Sequence, residues 1–324
     1  MRLVLLVLLS LIVVDQADAQ RGRRRNHEPV ELENFSYEKV EFKAPSLDMD
    51  EGECGVYLPA GYDNKAKRTY PWVIWLHGMN EDADRFHDGG GAKALDALRG
   101  EGKIREMILV APSGPRRTIY ANGEDGGDVA DFILKDLVKF VEKKYQVSKE
   151  RSGRALMGVS MGGMGALRFS LQDPEQFSTV AVHSAAAFPP DPTVLEGRSA
   201  ERVQRSVQWL GLGELLGEPI DPKKWAKFIP SAIAMEKSPA DMKGLRIFLD
   251  AGTEDRYGFG PPNEEFHILL EERNIEHSFT LVEGGGHSWG SGSMVERLAE
   301  SLTFVSEGFA AEGPAVDKVK KKGF

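Results

Sequence analysis

From residue 37 onward, short apolar runs alternate with longer stretches in which apolar residues recur every three or four positions. The short runs predict strands at 37–42, 54–58, 72–77, 107–111, 154–158, 179–183, 246–251 and 278–283. Most are continuously apolar, the pattern of a strand covered on both faces. The longer stretches predict helices. The clearest covers 128–145, where Val129, Phe132, Ile133, Leu137, Phe140 and Val141 share one face. Others cover 92–99, 161–171, 263–273 and 294–306. Strands separated by helices of this length make βαβ units. The fold class is therefore α/β, with a mostly parallel central sheet flanked by helices and an active site at the carboxyl ends of the strands.

One stretch breaks the rhythm. Residues 188–243 carry Pro189, Pro190, Pro192, Pro219, Pro222, Pro230 and Pro239, with Trp209, Trp225 and Phe228 among them. A structureless connection of that length is unusual inside a compact domain. The segment reads as an insertion with short helices, a lid or pocket wall whose aromatic residues face the ligand.

The two ends stand apart from the domain proper, which is expected at 37–308. Met1-Arg2, the apolar run from Leu3 to Val14 and the small-x-small Ala17-Asp18-Ala19 make 1–19 an export leader. As a helix that run spans about 18 Å, short of a bilayer core of about 30 Å. Cleavage is expected, leaving a secreted or periplasmic protein without stable membrane association. Residues 20–36 form a basic segment and 309–324 a basic tail, both read as solvated. With 41% hydrophobic and 28% charged residues, the chain is neither fibrous nor disordered. A formal charge of −9 argues against a nucleic-acid partner, which needs a basic face. Cys54 is the only cysteine, so no internal disulfide forms; in its strand context it reads as a buried, inert thiol.

Gly158-Val159-Ser160-Met161-Gly162 fits G-x-S-x-G, in which small residues let a strand turn sharply into a helix and hold the serine exposed. A second match, Gly286-His287-Ser288-Trp289-Gly290, lacks that context and has no histidine downstream. Ser160 follows an apolar strand, opens a helix, and is followed by both an acid and a histidine; it is the candidate nucleophile. A general base needs an imidazole on a loop beyond a late strand. His183 lies inside a strand, His267 inside a helix, and His277 opens a strand, whereas His287 follows Gly284-Gly285-Gly286 beyond the last strand. His287 is the candidate base. For the acid, Asp250, Glu254 and Asp255 compete; Asp255 lies beyond the Gly252 turn and is favoured, with Glu254 as the fallback. An oxyanion hole needs two N–H donors: Met161 supplies one, and the loop after Val73-Ile74-Trp75-Leu76-His77-Gly78-Met79 the other. His77, His87 and Asp88 have no recognised metal-ligand spacing, and the acidic loops 81–88 and 124–128 read as solvated. Gly211, Gly213 and Gly217 miss the dinucleotide spacing, so neither metal nor cofactor is expected.

Together Val56-Tyr57-Leu58-Pro59-Ala60-Gly61-Tyr62, Leu76-His77-Gly78, Asp136-Leu137-Val138 leading to Lys144-Tyr145, the stretch from Gly158 to Leu167, Asp250-Ala251-Gly252-Thr253-Glu254-Asp255 and Gly286-His287-Ser288-Trp289 resemble the esterase D-like branch of α/β hydrolases. That group includes feruloyl and acetylxylan esterases of carbohydrate esterase family one, S-formylglutathione hydrolases and mycolyltransferases. The resemblance implies an α/β-hydrolase fold, Ser160, Asp255 and His287 as triad, and Met79 and Met161 as oxyanion donors. It implies a cofactor-free serine esterase acting on small acyl or aryl esters, carbohydrate esters among them. An acyltransferase or a peptidase of the same fold stays open, as does the oligomeric state.

Overall fold

The computed structural model describes residues 30–309, apart from 66, 124–125, 210–211 and 290–292 and the side chains of 198, 199, 202, 206 and 209. The expected leader and nearly all of the basic tail lie outside the described residues. Eight strands form one sheet: β1 (Phe35–Lys43), β2 (Glu51–Pro59), β3 (Trp72–Leu76), β4 (Ile108–Ser113), β5 (Arg154–Val159), β6 (Thr179–His183), β7 (Arg246–Gly252) and β8 (Ser278–Val282). Their order across the sheet is β1-β2-β4-β3-β5-β6-β7-β8. Each answers to a run read from the sequence, within a few residues at either end. The first two differ from the rest: β1 pairs with β2, and β2 with β4, in antiparallel fashion. Every other pairing is parallel.

All five residues of β3 and of β6 are buried, because helices cover both faces of the sheet there. The helices are α1 (Asp84–Asp88), α2 (Gly91–Gly100), α3 (129–144), α4 (Met161–Gln172), α5 (Gly197–Trp209), α6 (Gly213–Leu216), α7 (Pro222–Phe228), α8 (Pro230–Glu236), α9 (Gly260–Glu272) and α10 (Met294–Gly308). In α3 the stretch Phe132–Leu137 is wound as a π-helix, which a 3.6-residue periodicity does not anticipate; Phe132, Ile133, Leu137 and Val141 stay buried. Cys54 is fully buried, and burial pushes its thiol up to about 12.

The connection from β6 to β7 is the proline-rich segment. Two of its prolines start helices rather than break them: Pro222 and Pro230 occupy the first positions of α7 and α8, where a missing N–H costs nothing. Trp225, Phe228, Ile229, Leu212, Leu216 and Val207 form a small apolar cluster that reaches Met164 on α4. Trp225 is 1% exposed and donates its Nε1–H to the Pro189 carbonyl at 2.9 Å. It therefore anchors the segment and has no face open to a ligand, contrary to the expectation that it would line a pocket. The Trp209 side chain lies outside the described residues.

The sheet order places a switch point between β3 and β5. From β3 the chain steps to β4 on one side, then returns to β5 on the other. Loops leaving the carboxyl ends of β3 and β5 diverge there and open a crevice.

Candidate active site

Ser160 stands at the end of β5 with φ 56° and ψ −116°, a conformation that L residues rarely adopt. Two tight contacts enforce it. A Cβ on Gly158 would fall 2.5 Å from the Gly162 carbonyl carbon, and one on Gly162 would fall 2.1 Å from the Leu76 carbonyl oxygen. Only glycine fits either place, which gives the motif spacing its physical meaning. The Ser160 N–H donates to the His183 carbonyl at 2.8 Å, and its own carbonyl accepts from Met164 and Ala186. Met161 is the first residue of α4, so its N–H has no acceptor within the helix.

On the facing loop after β3, Gly78 N–H donates to Glu81 Oε2 and Asn80 N–H to the Arg116 carbonyl. Between them the Met79 N–H is left without a partner among the described residues. Met79 and Met161 thus each present an amide N–H with no acceptor among the described residues.

His287 lies beyond β8 and Asp255 beyond β7, on loops that leave the same edge because those strands are parallel. His287 Nδ1 meets Asp255 Oδ2 at 2.7 Å. Asp255 Oδ1 accepts the Tyr257 N–H at 2.8 Å. Burial alone would raise the Asp255 pKa; His287, the Tyr257 N–H and the Ser184 hydroxyl outweigh it and hold the carboxyl below its ordinary value. Glu254 is exposed and gives only its backbone N–H, to the Gly285 carbonyl. Among the three competing carboxylates, Asp255 is the one brought to His287. Ser160 Oγ makes no hydrogen bond to His287 Nε2 in this conformation; such contacts often tighten only around a substrate. Ser288 follows His287 in a bend beyond β8.

Asp250, the third competitor, belongs to a sealed network. Its Oδ2 meets His183 Nδ1 at 2.7 Å, and its Oδ1 takes Arg297 Nε at 3.0 Å. Arg297 also donates to the Gly286 carbonyl at 2.9 Å and to Ser184 Oγ at 3.0 Å. One buried guanidinium on α10 therefore ties Asp250 to the residue before His287 and to Ser184.

Several residues here escaped the sequence reading. Arg297 falls on the apolar face of α10 beside Met294, Leu298 and Ser301, and a charge at such a position signals a buried partner. Tyr257 and Phe259, two and four residues beyond Asp255, place rings 4.5 and 5.3 Å from the His287 ring as an aromatic wall. Glu81 corrects an expectation: loop 81–88 is not simply solvated, since 84–88 is helical and Glu81 turns inward to Gly78 and Arg85. His77 and His87 have separate partners: His77 Nδ1 contacts the Gly78 carbonyl, while His87 stacks on Tyr37 and meets the Tyr57 hydroxyl.

The sequence pattern of the Esterase family matches residues 49–304, well over half of the chain. The chain belongs to the Esterase family. An esterase of Mycobacterium tuberculosis is 30% identical to this family member over 259 residues, covering 75% of this chain and 54% of the relative. A xylanase/feruloyl esterase of Xylanibacter ruminicola is 27% identical over 150 residues, covering 43% of this chain and 20% of the relative. The chain thus spans about half the length, or less, of these curated relatives. Among solved structures, a ferulic acid esterase superposes with a TM-score of 0.68 at 24% identity, covering 86% of this chain and all of that one. The fold of this esterase-family chain is the α/β-hydrolase fold.

Proposed function

We propose that this chain is an exported serine carboxylesterase that cleaves acyl or aryl esters, carbohydrate-linked ones among them. Ser160 attacks the ester carbonyl while His287 takes its proton. The Met79 and Met161 N–H groups receive the developing oxyanion, and Asp255 orients the imidazole and balances its charge. The alkoxide leaves with the proton held by His287, and water, deprotonated by the same imidazole, then releases the acid from the acyl-enzyme. No step calls for a cofactor.

The observation that carries this reading is the pairing of the strained Ser160 elbow with the 2.7 Å His287–Asp255 contact at one sheet edge. Family membership and feruloyl esterases among the relatives support an ester substrate. The leader pattern of residues 1–19 supports export, and the Tyr257–Phe259 wall suits an aryl or acyl group.

Labelling with a fluorophosphonate and turnover of p-nitrophenyl acetate, longer acyl esters and methyl ferulate test it directly. Ser160→Ala should abolish labelling and lower kcat by on the order of 10⁶ in a folded protein, whereas Ser288→Ala should cost far less. Comparable losses at both serines would overturn the assignment.

A further inference from the structure

The loop that carries the Met79 amide also carries an acid with no part in the mechanism above. Glu81 Oε2 accepts the Gly78 N–H at 2.9 Å, and Oε1 accepts Arg85 Nε at 3.3 Å. Its side chain keeps 18% of its surface exposed. A methyl group built on Gly78 would stand 3.0 Å from Glu81 Oε2 and 3.7 Å from Ser160 Cβ. The carboxylate and the nucleophile's side chain thus both border the space beside Gly78.

A carboxylate offers about four acceptor positions, and two of these are taken. Burial raises the pKa of Glu81 despite the opposing pull of Arg85, the Gly78 N–H and His287, so its charged form is poorly satisfied as it stands. A negative charge beside a forming oxyanion also opposes catalysis. Both costs fall when a donor on the substrate meets the free lone pairs.

We propose that Glu81 is the hydroxyl acceptor of this site: it takes a hydrogen bond from a free hydroxyl on the carbon next to the esterified one, and so selects esters of sugars and other polyols over esters of simple alcohols. A neighbouring hydroxyl is the nearest donor that such an alcohol can offer, in keeping with the short span from Ser160 to the carboxylate. An alcohol or thiol carrying its own carboxylate near the ester meets like charge there and is disfavoured. This inference rests on the serine-esterase reading of the same site.

The test compares an O-acetyl methyl xyloside bearing a free vicinal hydroxyl with the same ester in which hydrogen replaces that hydroxyl. Wild-type enzyme should favour the hydroxylated ester at least tenfold in kcat/KM, since a site built to bond a hydroxyl rejects the analogue lacking it. Glu81→Ala should bring the ratio to near one. Glu81→Gln, which keeps an oxygen for the Gly78 N–H, should fall between. Fluorophosphonate titration sets the concentration of competent sites in each protein. A wild-type ratio near one, or a ratio that survives in Glu81→Ala, would overturn the proposal, and the wild-type arm stands even where a variant fails to fold. Wild-type protein that resists the fluorophosphonate and hydrolyses neither ester would instead sink the serine-esterase reading beneath it.

Discussion

Two histidine–carboxylate pairs lie at neighbouring strand ends, each closed by a 2.7 Å contact between Nδ1 and Oδ2, and their surroundings differ. His183 and Asp250 are 0% and 1% exposed. His183 Nε2 rests on the Ser301 hydroxyl, and Arg297 holds the remaining carboxylate oxygen. Every face of that pair is occupied. His287 is 8% exposed, and no protein group among the described residues takes its Nε2. The Tyr257 and Phe259 rings crowd its sides while that nitrogen stays available. A general base needs an unengaged nitrogen facing the space where a proton arrives, so the histidine–carboxylate contact alone does not mark one. The sealed pair has a different value. Through Arg297 it is bonded to the Gly286 carbonyl, next to His287, and to the Ser184 hydroxyl.

The sharpest way to break this contrast is to neutralise each acid in turn. Asp255→Asn should lower kcat by about 10⁴, because an amide favours the wrong imidazole tautomer and cannot balance its charge. Its melting temperature should stay close to wild type. Steady-state kinetics and thermal melts on the same preparation read both. A mild kinetic effect here, with a severe one at Asp250 in an equally stable protein, would exchange the roles of the two pairs.

Asp250→Asn should act on stability instead. It leaves the Arg297 guanidinium, 3% exposed, without its carboxylate, a loss of about 3–5 kcal/mol for a broken buried pair. Burial pushes the Asp250 carboxyl up, but His183 and Arg297 overcome this and hold it below its ordinary value. Its contribution is thus complete above the unfolded carboxylate pKa of about 3.9 and fades as pH falls toward the lower folded value. Urea midpoints between pH 7 and pH 3 should fall less steeply in Asp250→Asn than in wild type. Parallel curves would remove Asp250 from the acid response.

The contrast also separates what the chain makes legible from what it hides. Strands announce themselves because both faces of β3 and β6 are covered, which demands unbroken apolar runs. The Ser160 elbow is legible because backbone contacts at Gly158 and Gly162 leave no room for a side chain. Asp255 and His287 are legible as loop residues beyond late strands. Glu81 is not: an acid in a polar loop looks the same whether it faces water or turns back onto a glycine amide three residues away. Arg297 was readable in principle from its place on an apolar helix face, but its partners lie 11, 47 and 113 residues away in sequence. Trp225 shows the converse failure. Pocket walls and anchors both use aromatic residues, and only the hydrogen bond to Pro189 and the burial of the ring tell which it is.

The smallest effect belongs to the carboxylate beside the acid. Glu254 precedes Asp255 and shares its loop, yet its side chain is exposed while Asp255 turns inward. Its structural contribution is the backbone N–H that bonds the Gly285 carbonyl at 2.9 Å, a contact that any side chain except proline's leaves in place. Glu254→Gln and Glu254→Ala should therefore change kcat by less than about twofold and stability by less than about 0.5 kcal/mol, as for a surface position without partners. The outcome bears on the whole contrast, because it asks whether negative charge near His287 suffices or whether one oriented carboxylate is required. If Glu254→Gln lowered kcat a hundredfold, the imidazole would be drawing on the field of the loop as a whole. Asp255 would then lose its claim to be the partner that the open pair depends on.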